Sequence, residues 1–192
     1  MSTQDAITTP SESFETPADL DAWLAGHPAP HPGIWVRVAK KGSGLRSVTA
    51  DEVNDAALCH GWITGQRRAL DATHYLQRIT PRRQGSVWSM VNVRRVAELT
   101  ADGRMRPAGL AEVVAARADG RWATAYESQR NADVPEDLAR ALADSPRAGA
   151  AFERLGRTDR YQVMLGLLQA RTPKTRAARL AAAVERLERD GA

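Results

Sequence analysis

Apolar positions along the first hundred residues change period several times, and each change marks an element. Leu20, Trp23 and Leu24 recur at helical spacing behind Thr16 and Pro17, a cap followed by proline at the first helical position, and predict a short helix ending near Gly26. Pro28, Pro30 and Pro32 cannot continue it. From Gly33 to Ala39 the period falls to two, with Ile34, Val36 and Val38 alternating against Trp35 and Arg37, which predicts a strand covered at least in part on both faces. Thr49 and Glu52 have the spacing of a capping box, so a helix is expected over 50–60, stopping at Gly61. Residues 62–70 and 74–80 read as two more strands joined through Asp71, Ala72 and Thr73. Pro81 closes the second of them, and helical spacing returns from Ser86 to Leu99.

Beyond Asp102 only helical periods remain, over 109–118, 135–143, 147–155, 159–170 and 173–189, separated by glycine, proline and aspartate breaks. Thr172 and Pro173 repeat the cap-then-proline start, and Glu185 and Arg189 stand four apart on the last helix, where they can pair. The expected fold class is α+β. It comprises a small, mainly antiparallel three-stranded sheet flanked by helices and an all-helical C-terminal half. The organisation expected is a disordered tail over 1–13, a sheet-containing region over 14–108 and a helical region over 109–192 packed on it, forming a single domain.

Composition narrows the setting. No apolar stretch approaches the roughly 20 residues of a membrane span, and the N-terminus lacks the basic start and apolar run of a secretory signal. The single cysteine, Cys59, excludes an intrachain disulfide and fits a reducing compartment, so a cytoplasmic location without a membrane partner is expected. The formal net charge is +4, but residues 34–95 hold 11 Lys and Arg against 4 Asp and Glu, which points to an anionic partner. Aromatics and glycines separate these cations, a pattern better suited to a discrete pocket than to a continuous nucleic-acid stripe.

Candidate chemistry concentrates in the same stretch. Arg82 and Arg83 carry planar donor forks, and Ser86 and Ser89 with the first amides of the helix expected at Ser86 would complete an anion cradle. Arg67 and Arg78 would add positive charge, and Trp62 and Trp88 would wall the site. Cys59 and His60 are neighbours on a helix and point about 100° apart, so they form no dyad; Cys59 reads as a small buried hydrophobe. His60 at the helix end is a candidate acid or base, with Tyr75 and Asp71 as possible companions. His27 and His31 are spaced by four but interrupted by prolines, and no metal motif, nucleotide fingerprint or cofactor signature is present.

Several motifs occur together in order: Lys40, Lys41 and Gly42; Cys59, Gly61, Trp62, Ile63 and Gly65; Pro81, Arg82, Arg83, Ser86, Trp88, Ser89 and Asn92; Gly103, Met105, Pro107 and Gly109; Gly120, Arg121, Trp122 and Tyr126; Thr175, Arg176 and Arg179. With them the chain, from about Trp23 to Arg189, resembles the bacterial YdeI/OmpD-associated family, described as bacteriocin-protection proteins. The resemblance implies a small cytosolic protein of stress or toxin tolerance, with a helical C-terminal segment and no established reaction or cofactor. Thr64 departs from it, standing where the family pattern usually has aspartate. Three readings follow: a protection protein that binds an anionic or aromatic small molecule in a Trp- and Arg-lined cleft; an enzyme acting on a secondary metabolite or toxin through His60, Tyr75 or Asp71; and a nucleic-acid binder. Convergence of the arginines over 67–83 on one cavity would favour a pocket, and an outward fan would favour nucleic acid. Oligomeric state is not legible.

Overall fold

A computed structural model of the chain describes residues 11–170 and 172–190. They form two compact units, the first from 11–86 and 92–123 and the second from 87–91 and 124–190. The elements are β1 (Ser11–Ser13), α1 (Pro17–Gly26), β2 (Ile34–Ala39), α2 (Ala50–Cys59), β3 (Trp62–Ala69), β4 (His74–Pro81), α3 (Met90–Ala101), α4 (Pro107–Ala118), α5 (Glu136–Asp144), α6 (Pro146–Arg154), α7 (Arg157–Leu168) and α8 (Pro173–Asp190). The α+β class holds.

In the first unit the sheet has four strands in the order β1-β2-β4-β3 and is mixed, where three mainly antiparallel strands were expected. The extra strand lies in the stretch expected to be a disordered tail: Ser11 to Ser13 pair in parallel with Trp35 to Arg37. Backbone hydrogen bonding against β2, not apolar patterning, places it, so a period-based reading passes over it. Residues 1–10 of that expected tail lie outside the described residues. The other pairings are antiparallel, Ile34 opposite Ile79 and Trp62 opposite Pro81.

One sheet face builds the core. Ile34, Val36, Val38, Ile79 and Trp62 bury against Leu20 and Leu24 of α1 and Val53, Ala56 and Ala57 of α2. Both helices start on complete capping boxes, Thr16 with Asp19 and Thr49 with Glu52. Each box satisfies amides that would otherwise be orphaned and fixes where its helix begins. On the opposite face Trp35 is buried with the guanidinium groups of Arg68 and Arg78 at 4.8 and 5.7 Å from its ring. The expectation of a strand covered on both faces is therefore met.

Close backbone packing positions α4, which belongs to the first unit. A Cβ on Gly109 would stand 2.2 Å from the Cys59 carbonyl oxygen, so only glycine lets the start of α4 meet the end of α2. The Arg106 amide donates to that same oxygen at 3.1 Å. Asp55, buried in α2, takes the guanidinium of Arg95 from α3 on both carboxylate oxygens, at 2.6 and 2.5 Å, and that of Arg104 at 3.2 Å. Burial alone would raise the Asp55 carboxyl; the two arginines outweigh it and hold the group below its ordinary value.

The second unit buries Leu138, Ala148, Phe152, Met164, Leu167 and Leu187 between α5, α6, α7 and α8. Ser145 caps α6 ahead of Pro146, and its hydroxyl donates to Glu188 at 2.6 Å. Arg176 of α8 grips Asp137 of α5 at 2.6 and 2.8 Å and donates to the Leu167 carbonyl at 3.0 Å, tying three helices together. Arg189 reaches Glu185 at 2.8 Å, the four-residue pairing open to that spacing.

Candidate functional site

The junction where α2 ends, β3 begins, β4 ends and α4 begins encloses a cavity of about 560 Å³ in the first unit. Leu24, Ala25, Pro28, Ala29, Trp62, Pro81, Pro107 and Ala108 supply apolar wall, and Asp21, His60, Arg82, Arg106 and Glu112 supply charge and hydrogen bonding. Each wall residue is held by its element: the Arg82 amide donates to the Gly61 carbonyl at 3.0 Å, which locks the end of β4 to the start of β3. Volume and the mixture of apolar surface with a few polar groups are those of a small-molecule pocket.

His60, the C-cap of α2, hydrogen-bonds through Nε2 to Asp21 Oδ1 at 2.8 Å, and its side chain is only 8 % exposed. The other Asp21 oxygen accepts from Arg106 Nη2 at 2.6 Å. Burial pushes the Asp21 carboxyl up, but Arg106 and His60 together hold it below the ordinary carboxylate value, so it is an anion that orients the imidazole. Asp21 and Arg106 were not singled out from the sequence. Asp21 does carry a signal there, a carboxylate among the apolar positions of α1, but its partners are 39 and 85 residues away.

Trp62, Arg82 and His60 are the sequence-predicted residues that meet at this cavity. Trp62 is fully buried and joins an aromatic cluster, its ring 6.0 Å from that of Trp23 and 5.4 Å from that of His31, with His27 stacked on Trp23 at 4.0 Å. The His31 Nδ1 accepts the Gly33 amide at 2.9 Å, while the His27 Nδ1 contacts the Trp23 carbonyl at 2.7 Å, so both rings act as parts of the loop that carries Pro28 and Ala29.

The remaining predicted residues lie elsewhere. Tyr75 and Asp71 are at the other end of the β3–β4 hairpin, and the six residue steps from Tyr75 to Pro81 on β4 span about 20 Å. They cannot act with His60. Asp71 is an exposed turn residue whose carboxylate accepts the Thr73 amide and hydroxyl and the His74 amide, bonds that hold it down to about 2. Arg67 sits beside the bulge between Thr64 and Arg67, donating to Gln77 Oε1 at 2.6 Å and lying 5.5 Å from the Tyr75 ring. Arg78 covers Trp35 on the opposite face and donates to the Pro32 carbonyl at 2.5 Å. Arg83 is exposed. The arginines over 67–83 therefore neither converge on one cavity nor fan from one surface; Arg82 alone lines the pocket.

The anion cradle expected at Ser86 is not assembled. The helix begins at Met90, four residues later than expected, and 83–86 instead form a turn closed by Ser86 N–H to Arg83 O at 2.9 Å. Gly85 at φ 82° gives that turn its positive-φ corner, and the Ser86 hydroxyl accepts the Arg83 amide at 3.0 Å. Trp88 and Ser89 belong to the second unit, where Tyr126 N–H donates to the Trp88 carbonyl and Ser89 bridges Tyr126. Cys59 is buried, with its thiol pushed up by burial, and lines a neighbouring depression with Arg104 and Arg106. Among the described residues no cluster of three His, Cys, Asp or Glu is arranged for a metal, and no helix is long and apolar enough to cross a membrane.

Residues 12–112, which contain this whole cavity, match the family model of a domain of unknown function, DUF8412. The chain belongs to the DUF8412 family. Residues 131–190 match a second family model, described as bacteriocin-protection, YdeI or OmpD-associated, so the resemblance read from the sequence holds for the C-terminal part. Thr175, Arg176 and Arg179 are its motif residues within that span: Thr175 N–H closes the local cap on Thr172, while Arg176 and Arg179 donate to the Leu167 and Gly166 carbonyls of α7. Thr64 lies within the DUF8412 span, where its hydroxyl donates to Asn54 Oδ1 at 3.1 Å. No curated protein and no solved structure matches the chain.

Proposed function

We propose that the DUF8412 domain binds a small molecule carrying an anionic group on an apolar body, and that the protein serves bacterial tolerance of a toxic compound by sequestering it in the cytoplasm. The observation that carries this reading is the cavity of about 560 Å³, where a buried Arg82 and the Asp21-paired Arg106 stand beside Trp62 and proline walls. Arginine presents planar donors to a carboxylate or phosphate, and the apolar wall accounts for the body of the ligand. The match of residues 131–190 to the bacteriocin-protection family supports the protective role.

The test is a thermal-shift screen against anionic aromatic and phosphorylated compounds, followed by titration of any hit. A ligand at 100 times its Kd should stabilise the protein by about 2.7 kcal/mol. Arg82→Gln should weaken binding by about tenfold or more, the worth of a charged hydrogen bond, whereas Arg83→Ala should leave it unchanged. Ala25→Trp, filling the cavity from α1, should abolish it. Binding that survives both Arg82→Gln and Ala25→Trp refutes the assignment.

A second reading is favoured by one contact, Asp21 on His60. A carboxylate that orients a buried imidazole in a cavity wall is the arrangement of a general base, so an enzyme acting on the bound compound through His60 is the alternative, now without Tyr75 or Asp71. His60→Gln would then abolish turnover of a binding compound while leaving its Kd nearly unchanged.

A further inference from the structure

The second unit contains a separate groove of about 380 Å³. Its floor is the open edge of that unit's core, Phe152, Leu155 and Met164, and Val134, 42 % exposed, forms the lip. Arg130, Arg157 and Arg160 surround it, and no carboxylate lines it among the described residues. Three cations around an apolar floor, with no lining counter-ion, are electrostatically incomplete.

The groove is built. The segment 127–134 is pinned to the start of α7 at three points: Tyr161 Oη donates to the Glu127 carbonyl at 2.8 Å, Gln129 Nε2 to Thr158 Oγ1 at 3.2 Å, and Arg157 Nη2 to the Arg130 carbonyl at 3.2 Å. Arg160 is spent on the carbonyls that end α6, donating through Nε to Phe152 and Leu155 at 3.1 and 3.0 Å and through Nη2 to Glu153. It therefore fixes the floor and contributes charge, while Arg130 and the outer edge of Arg157, both exposed, remain to meet a ligand.

We propose that this groove is a second binding site, for a small amphiphilic carboxylate whose apolar or aromatic end lies against Val134 and Leu155 and whose carboxylate meets Arg130 and Arg157. The small volume favours a molecule of modest size over a folded partner. Carboxylate is a counterpart of guanidinium forks, and the apolar lining gives an amphiphilic ligand contacts that a bare inorganic anion cannot make.

The probe is 4-phenylbutyrate, titrated into the full-length protein and followed by amide chemical shifts, with 4-phenylbutyramide and inorganic phosphate as controls. The acid should bind at least tenfold more tightly than the amide and should shift the amides of Arg130, Ala132, Arg157 and Tyr161. Arg130→Gln with Arg157→Gln should weaken it at least fivefold. Ala132→Trp, or Val134→Trp should the former fail to fold, should remove it. Arg82→Gln, which lies in the first cavity, should leave the probe-induced shifts of Arg130, Ala132, Arg157 and Tyr161 unchanged, whatever it does to shifts at His60 and Trp62.

Equal binding of acid and amide, equal binding of phosphate, or survival in the tryptophan variant overturns the proposal. So do shifts confined to His60 and Trp62, which would instead assign the probe to the first cavity. Tighter binding of an acidic peptide such as acetyl-Phe-Glu-Phe-Glu-amide than of phenylbutyrate would replace the small molecule by a protein partner and overturn it as well.

Discussion

Replacing Gly109 by alanine tests whether the close approach of α4 to the end of α2 shapes the first cavity. The new Cβ would lie 2.2 Å from the Cys59 carbonyl oxygen and 2.7 Å from both its carbonyl carbon and the Leu58 oxygen. Carbon and oxygen in close contact settle at about 3.3 Å, so the start of α4 must retreat by about 1 Å. Overpacking of this kind costs about 1–3 kcal/mol. Weakening of the Arg106 to Cys59 hydrogen bond, 3.1 Å long, adds about 1 kcal/mol. The helix propensity of alanine over glycine returns about 1 kcal/mol, leaving a net loss of about 1–3 kcal/mol. Gly166→Ala in α7 is the matched control, because a Cβ there meets nothing within 4 Å and the change should be neutral or stabilising by up to about 1 kcal/mol. Urea unfolding followed by amide signals of α2 and α4 for the first variant, and of α7 for the second, reads both. Pro107 and Ala108 line the cavity, so Gly109→Ala should also move the amide signals of Arg106, Ala108 and His60. If Gly109→Ala is as stable as the wild type, or gains stability as Gly166→Ala does, the packing argument is refuted.

Asp55→Asn should cost about 1–3 kcal/mol at pH 7, because it leaves two half-exposed arginines without their shared anion. The folded-state value of Asp55 is lowered from 3.8, so its contribution is complete above that pH and is lost as pH falls through the lower folded value; the gap between wild type and variant in urea titrations should close below pH 4, and a gap that stays constant contradicts this account. Thr49→Ala removes the cap of α2 and should cost about 1 kcal/mol in the same assay, with faster hydrogen exchange at Glu52; unchanged exchange there would count against the cap. Asp71→Ala should raise hydrogen exchange at Thr73 and His74 while leaving the His60 ring signals untouched, since the two ends of the hairpin are about 20 Å apart, and a shifted His60 signal would contradict that separation.

What could be read without coordinates was what neighbours in the chain decide. Thr16 before Pro17, Thr49 with Glu52 and Thr172 before Pro173 lie within one turn, so these helix starts follow from local chemistry, as does the β3–β4 hairpin. The start of α3 was misplaced because two local signals conflict at 85–86. Ser86 offers a helix cap, but Gly85 with positive φ and the Ser86 hydroxyl on Arg83 close a turn first. β1 escaped because three polar residues have no apolar period, and only the free edge of β2 makes them a strand.

The candidate site divides along the same line. His60, Trp62 and Arg82 are legible because residue type and position mark them: an imidazole at a helix end, a tryptophan starting a strand, an arginine after the proline that ends one. Asp21 and Arg106, which orient His60 and close the cavity, come from α1 and the entry to α4. No periodicity couples positions 21, 60 and 106. The sequence by itself determined the elements other than β1 and the start of α3, the α+β class and the local concentration of Trp and Arg. The tertiary structure decided which of those side chains share a cavity. Strand direction sends neighbouring arginines to opposite faces and opposite ends of the sheet, and a glycine contact between two helices brings distant charges together.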